Sequence, residues 1–275
     1  MGETTMTADA TYAFAREDDG GVARLGALEA IFDTTTTRHI AARGVAPGWT
    51  CLEIGGGGGS IVKWLASRVG PSGRVVATDL NTRFLEGLEL PNVEVLRHDI
   101  ASEPLPEDTF DLVHARLVLM HVANASAALG HMIRALKPGG WILLEEFEVT
   151  PIAMTTLSSV ELSNANTTFA LRHVMERAGM DLRFGRRLPD LLDAHGLIEI
   201  DAEGRICLWR GRSSGTDLLR ANYQAFRSPI LETLLVTPQE FDRDMRNLDE
   251  PRFATSSPVM WTVAGRKPSP SLRHV

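Results

Sequence analysis

Five consecutive glycines, Gly55–Gly59, follow the apolar segment Thr50–Ile54 and precede Ser60, where an amphipathic run begins. A residue without a Cβ lets the backbone turn sharply and lets a ligand approach to van der Waals contact. The first turn of a helix starting at Ser60 would aim its free N–H groups at that ligand. A phosphate-binding loop would close with Gly-Lys-Ser/Thr, and Gly59-Ser60 has no lysine. The dinucleotide fingerprint asks for a small residue three places after its second glycine, and from Gly55 and Gly57 that place is Ser60. The loop therefore only half excludes NAD. Two acids add independent weight. Asp79 stands 24 residues after Gly55, at the end of the next apolar segment, where a carboxylate can accept both hydroxyls of a ribose. Asp99 and Ile100 end the segment after that, an acceptor for an adenine amino group beside an apolar cover for its ring. Either acid alone reads as a capping residue; their placement after successive segments points to an adenosyl ligand.

The elements that must hold these residues are legible in the periodicity. Thr50–Ile54, Arg74–Asp79, Val93–His98, Phe110–Ala115 and Trp141–Glu145 read as strands, with helices at Ser60 to about Val69 and at Ser126–Leu136. Lys137-Pro138-Gly139-Gly140 should end the second of these helices and turn the chain into the fifth strand. Strand and helix alternating over about 100 residues predict an α/β fold with a doubly wound parallel sheet, its strands buried on both faces and hence continuously apolar. A helical stretch over Val22–Arg43 is interrupted by Thr34–Thr37. Beyond Thr150 the pattern predicts helices from about Ser158 to Ala178 and over Leu188–His195. Strands at Leu197–Ala202 and Val259–Ala264 flank a helical insertion, Gly215–Leu248, and close the sheet as an antiparallel hairpin. The expected organisation is an N-terminal helical cap (1–44), a ligand-binding core (45–150), and a remainder (151–275) of the same domain. That remainder carries cap insertions at about 151–194 and 210–252.

The order LEIGGGGGS, VVATDL, RHDI, FDLVHARLVLMHV, ALKPGGWILLEE resembles the class I S-adenosylmethionine-dependent methyltransferases, closely over about residues 45–150. The resemblance implies a Rossmann-like, mostly parallel seven-stranded sheet with an antiparallel last strand, and S-adenosyl-L-methionine as cofactor. It places Gly55, Gly57 and Gly59 against the methionine part, Asp79 with Leu80 at the ribose, and Asp99 with Ile100 at the adenine. Arg116 falls where this family brings backbone against the cofactor, and Glu53 matches the acid of its first motif. Gly56 and Gly58 replace larger residues common there.

Methyl transfer to oxygen or nitrogen is an in-line displacement at a cationic sulfonium, so the protein mainly positions the acceptor and removes its proton. His121, just beyond the fourth strand, is the first base to consider; covering the cofactor is an equally good reading of it. Glu146, at the end of the fifth strand, would orient the imidazole and raise its basicity. His173 is the second-choice base, and Tyr12, Phe169 and Arg172 are expected on the acceptor side. His114, inside the fourth strand, reads as a satisfied core histidine. No metal-ligand spacing is found, and no metal is expected.

Composition narrows the partners. The chain has 275 residues, 44% of them hydrophobic, and a net charge of −7 with no basic patch, which disfavours nucleic acid. No apolar run is long enough to span a bilayer, and the N-terminus is unlike a signal peptide. Cys51 and Cys207 read as buried thiols in apolar stretches, in keeping with a cytoplasmic location. The expected activity is methylation of a hydroxyl, amine or carbon of a small molecule of the natural-product type. Two alternatives stand beside it: an NAD-dependent oxidoreductase, and a methyltransferase fold that binds the cofactor but catalyses another reaction, such as a cyclisation. Homo-oligomerisation is left open.

Overall fold

The computed structural model describes residues 19–150, 157, 159 and 162–269. Its strands are β1 (Thr50–Ile54), β2 (Arg74–Asp79), β3 (Val93–Arg97), β4 (Phe110–Arg116), β5 (Leu136–Glu148), β6 (Ile198–Arg205), β7 (Leu208–Arg210), β8 (Ala254–Ser256) and β9 (Val259–Arg266). The main sheet has the order β3-β2-β1-β4-β5-β9-β6. Its first five strands are mutually parallel, and β9 runs antiparallel to both β5 and β6. This is the predicted mostly parallel seven-stranded sheet with an antiparallel last strand.

The helices are α1 (Asp19–Ala42), α2 (Ser60–Val69), α3 (Ala125–Ala135), α4 (Ala165–Arg177), α5 (Leu188–Ala194), α6 (Ser214–Ala225), α7 (Arg227–Glu232) and α8 (Pro238–Asn247). They cover both faces of the sheet, which is why its central strands are apolar without alternation. On one face, Ile61, Val62, Leu65 and Val69 of α2 pack with Val75, Ala77, Leu112 and Leu143. On the other, Leu28 and Phe32 of α1 join Leu52, Ile54, Val113 and Leu144 with residues of the C-terminal helices, among them Tyr223 and Phe241. Each Val, Leu, Ile or Phe side chain buried in this way contributes roughly 1.5–3 kcal/mol. Among the described residues, no helix is long and apolar enough to cross a membrane.

Some expectations are corrected. The threonine run does not interrupt α1, because tertiary partners outweigh its weak helix propensity. Thr37 Oγ1 donates to Asp33 O at 2.7 Å, Thr36 is fully buried against Glu145 and Arg116, and Thr35 accepts from Arg205. The Lys-Pro-Gly-Gly segment is not a turn ahead of the strand but part of β5, which starts at Leu136 opposite Phe110. Its register against β4 shifts between Phe110 and Leu112, a bulge made passable at Gly140, where a Cβ would lie 3.0 Å from two backbone carbonyl oxygens. Helix α4 begins at Ala165, seven residues later than its periodicity suggested. The insertion is bracketed by an unforeseen two-stranded sheet of β7 and β8. Cys207 is half-buried in the link between β6 and β7 rather than within a strand, whereas Cys51 is buried in β1, its thiol pushed up to about 12 by burial.

Candidate active site

The chain order of the sheet reverses between β1 and β4: β2 and β3 build outward on one side, β5 on the other. Loops leaving the carboxyl ends of β1 and β4 therefore diverge, and a crevice opens between them. The glycine loop forms its floor. Gly55 N and Gly56 N donate to Thr78 O at 2.8 and 3.1 Å, which folds the loop back over the end of β2. Gly55 and Gly57 have φ of +68° and +52°, in the left-handed region that side chains avoid. A Cβ on Gly55 would lie 2.5 Å from Val118 Cγ2. The crevice is walled by Leu25, Leu28 and Glu29 of α1, by Glu53 and Gly55–Gly58, by Ser60 and Ile61 of α2, and by Arg116 and Leu117.

Of the residues expected at the cofactor, Glu53, Gly55, Gly57 and Arg116 thus line one cavity. Asp79 is joined to it: Oδ2 accepts from Gly57 N at 3.2 Å and Oδ1 from Asn81 N at 3.0 Å, and the carboxyl keeps lone-pair capacity for a further donor. Burial pushes this carboxyl above the usual range, against the pull of those N–H donors. Gly59 does not line the cavity. It is the left-handed N-cap of α2, and a Cβ there would lie 2.9 Å from Leu88 Cδ1. Gly56 and Gly58, read from sequence as departures, do line it. Leu80, Asp99 and Ile100 lie outside its walls. Leu80 is exposed, Ile100 is in the core, and Asp99 accepts from Ala101 N at 2.9 Å and Ser102 Oγ at 2.7 Å, the geometry of a turn cap. The bare glycine backbone, with the Asp79 carboxyl at its edge, fits an adenosyl ligand.

Beneath the floor lies a buried charge network. His114 is fully buried, as expected of a core histidine; its Nδ1 is 2.6 Å from Glu53 Oε2, and its Nε2 is 3.5 Å from Glu145 Oε2. Glu145 also accepts from Thr262 Oγ1 at 2.8 Å and from Thr36. Above it, Arg116 is paired with Asp33 Oδ1 at 3.0 Å and donates to Thr36 Oγ1 at 3.0 Å. These contacts tie α1 to the ends of β4 and β5, so the helix is a wall of the site and not a loose cover.

The acid–base pair expected from the sequence is not formed as drawn. Glu146 is fully buried, and its carboxyl accepts from the backbone of the loop before His121: from Val118 N at 2.9 Å, Leu119 N at 2.6 Å and Met120 N at 3.4 Å. It holds the peptide chain leading to His121, and those three bonds account for its orientation. Burial pushes it up to about 8. His121 is not made more basic either. Burial, and after it the charge of Arg24, lower it to about 4, so the imidazole is neutral near pH 7. The same loop begins with Leu117, a buried non-glycine residue at φ +57° whose N–H donates to Glu145 O at 2.8 Å. Backbone strain of this kind persists only where the surroundings enforce it, and here β5 does so.

On α4, Phe169 and His173 are exposed one turn apart, and Arg172 is engaged with Glu176 at 3.2 Å. Tyr12 lies outside the described residues. Sequence reasoning missed Leu25, Leu28, Glu29 and Leu117. A signal for Glu29 was present: it shares the stripe Leu25, Leu28, Phe32 on α1, a carboxylate where the period calls for an apolar residue.

Residues 52–144 match a family model described as a methyltransferase domain. Over 116 residues the chain is 38% identical to a ubiquinone/menaquinone biosynthesis C-methyltransferase of Ectopseudomonas mendocina (strain ymp), an alignment covering 39% of this chain and 45% of that protein. The chain spans about half the length of the curated relatives it matches. Among solved structures, the YcgJ protein from Bacillus subtilis has a TM-score of 0.58 at 14% identity, covering 86% of this chain and 99% of its own. Haemonchus contortus phosphoethanolamine N-methyltransferase 2, solved with phosphomonomethylethanolamine and S-adenosylhomocysteine, has a TM-score of 0.56 at 17% identity and covers 89% and 57%. These structural likenesses establish the fold.

Proposed function

We propose that residues 52–144, which match a methyltransferase-domain model, form a class I S-adenosylmethionine-dependent methyltransferase domain, and that the chain transfers the methyl group of S-adenosylmethionine to a small-molecule acceptor. One observation carries this reading: a glycine-floored cavity at the reversal point of a parallel sheet, with the Asp79 carboxyl hydrogen-bonded to its floor. The cofactor supplies a methyl group on a cationic sulfonium, open to in-line displacement. The protein's residues do the rest. Asp79 accepts the ribose hydroxyls with its remaining lone pairs, and Leu25, Leu28 and Leu117 exclude water from the cavity. Leu80 belongs with Asp79 at the ribose end, and Asp99 with Ile100 beneath it is assigned to the adenine, whose amino group Asp99 can meet without giving up its turn.

We assign His121, at the end of the loop that follows β4, to the acceptor; the loop's first residue, Leu117, lines the cavity. Neutral at pH 7, His121 takes a proton only as the reaction releases one, and Glu146 keeps it in place through the backbone. Phe169, Arg172 and His173 on α4 contribute to the acceptor side, outside the region the family model matches. An acceptor of small, uncharged or cationic character suits the chain's charge of −7, and nucleic acid does not. The relatives' role in quinone biosynthesis makes a carbon acceptor the first class to try.

Calorimetry tests the core of the proposal. S-adenosylhomocysteine should bind and NAD should not, and Asp79→Ala should weaken S-adenosylhomocysteine by about 1–3 kcal/mol through lost charge-assisted bonds. NAD binding tighter than S-adenosylhomocysteine would sink the methyltransferase reading.

A further inference from the structure

The cavity holds a carboxylate that the fold leaves unsatisfied. Glu29, on the buried stripe of α1, points at the glycine loop: a Cβ on Gly58 would lie 2.3 Å from its Oε1. That oxygen is buried and accepts no hydrogen bond from any described residue. The cation nearest in the same lining, Arg116, is already committed to Asp33 and Thr36. Arg24, one turn earlier on α1, donates to Asn222 Oδ1 at 3.1 Å. A buried carboxylate oxygen without a donor is costly, and helix α1 nonetheless presents one to the site.

We propose that Glu29 receives the α-ammonium group of the cofactor's amino-acid part, and so selects a zwitterionic adenosyl ligand over a dinucleotide. This rests on the cofactor reading above. S-adenosylmethionine has two cationic centres, and only the ammonium carries N–H bonds to donate; the sulfonium has none. Asp79 marks the ribose end of the site through its bond to Gly57 N, and Glu29 lies against the next residue of the loop, on the side that α1 covers. A dinucleotide bound on the same loop would put its pyrophosphate beside this carboxylate, and like charges in a water-poor crevice repel. Glu29 thus supplies the discrimination that the spacing Gly55, Gly57, Ser60 lacks by itself. The product S-adenosylhomocysteine keeps the ammonium, so Glu29 holds the cofactor before and after transfer alike.

The test is a calorimetric cycle with two ligands and two proteins. The ligands are S-adenosylhomocysteine and its analogue with hydrogen in place of the α-amino group; the proteins are the full chain and its Glu29→Gln variant. Glu29→Gln should weaken S-adenosylhomocysteine about 10- to 100-fold, as loss of a charge-assisted bond does. The desamino analogue should bind the unaltered chain about that much more weakly than S-adenosylhomocysteine, and the substitution should weaken it no further. Equal loss of affinity for both ligands would mean that Glu29 only braces the helix, and the proposal falls. It falls too if S-adenosylhomocysteine binds the variant normally. Should the variant fail to fold, the unaltered chain still decides, because equal affinity for the two ligands overturns the assignment. If the unaltered chain binds neither ligand, the cofactor reading itself is wrong, an outcome distinct from the others.

Discussion

His114 Nδ1 lies 2.6 Å from Glu53 Oε2, and both side chains are shut away from water, at 0% and 4% exposure. The pair joins β4 to β1 side by side, since Glu53 and His114 are register partners, and Glu145 approaches the other ring nitrogen from β5. Burial alone would lower the imidazole's pKa, yet the two carboxylates outweigh it and hold His114 up at about 9. For Glu145 burial alone would raise the carboxyl, but its bond to His114, the charges of His114 and Arg116 and the Thr36 hydroxyl outweigh it and lower it.

The sign of the pH dependence follows. Between the ordinary histidine value of about 6.5 and about 9, the folded protein binds a proton at His114 that the unfolded chain releases. The stabilisation is therefore complete below about pH 6.5 and is lost as pH rises through 9. Thermal unfolding of the wild type and of His114→Gln across pH 6 to 10 checks this. The variant should be less stable at pH 6 and the gap should narrow toward pH 10; a constant gap would show that His114 does not carry the proton.

Glu146 should behave as a positioning residue. Glu146→Ala removes the acceptor of three backbone N–H groups in a buried loop, and each buried donor left unsatisfied costs about 1–3 kcal/mol. Glu146→Gln keeps an acceptor oxygen and should recover most of that loss. The informative measurement is turnover beside stability: the alanine variant should lose both, because the loop also carries His121. Normal turnover in a destabilised Glu146→Ala protein would separate the loop from the chemistry.

For His121 the structure changes what to look for. With its pKa lowered to about 4, a pH profile of kcat/KM should show no inflection near 6.5 from this residue. His121→Ala should lower turnover by about 100- to 10,000-fold with little change in S-adenosylhomocysteine affinity, the contribution typical of a positioned acid–base group. If the variant instead loses the cofactor and turns over normally at saturation, His121 is a cofactor contact.

The local features were legible because they depend on neighbours in the chain. Gly55, Gly57 and Gly59 take positive φ, a conformation set by the loop itself that glycine alone adopts readily. Apolar runs such as VVAT in β2 follow from burial on both sheet faces, so the mostly parallel sheet and its antiparallel last strand could be anticipated from pattern and resemblance. Tertiary structure decided how polar side chains are used. Glu146 and His121 are close in the fold, but a carboxyl in a water-free interior takes the nearest donors, and these are the N–H groups of Val118, Leu119 and Met120. Thr36 reads as a helix breaker until Glu145 and Arg116, 109 and 80 residues away, give its hydroxyl partners inside the core. Glu29 is one carboxylate among many until α1 packs over the glycine loop. Hydrogen bonds and charge pairs depend on ångström-scale distances between chain-distant groups, and periodicity carries no information about those.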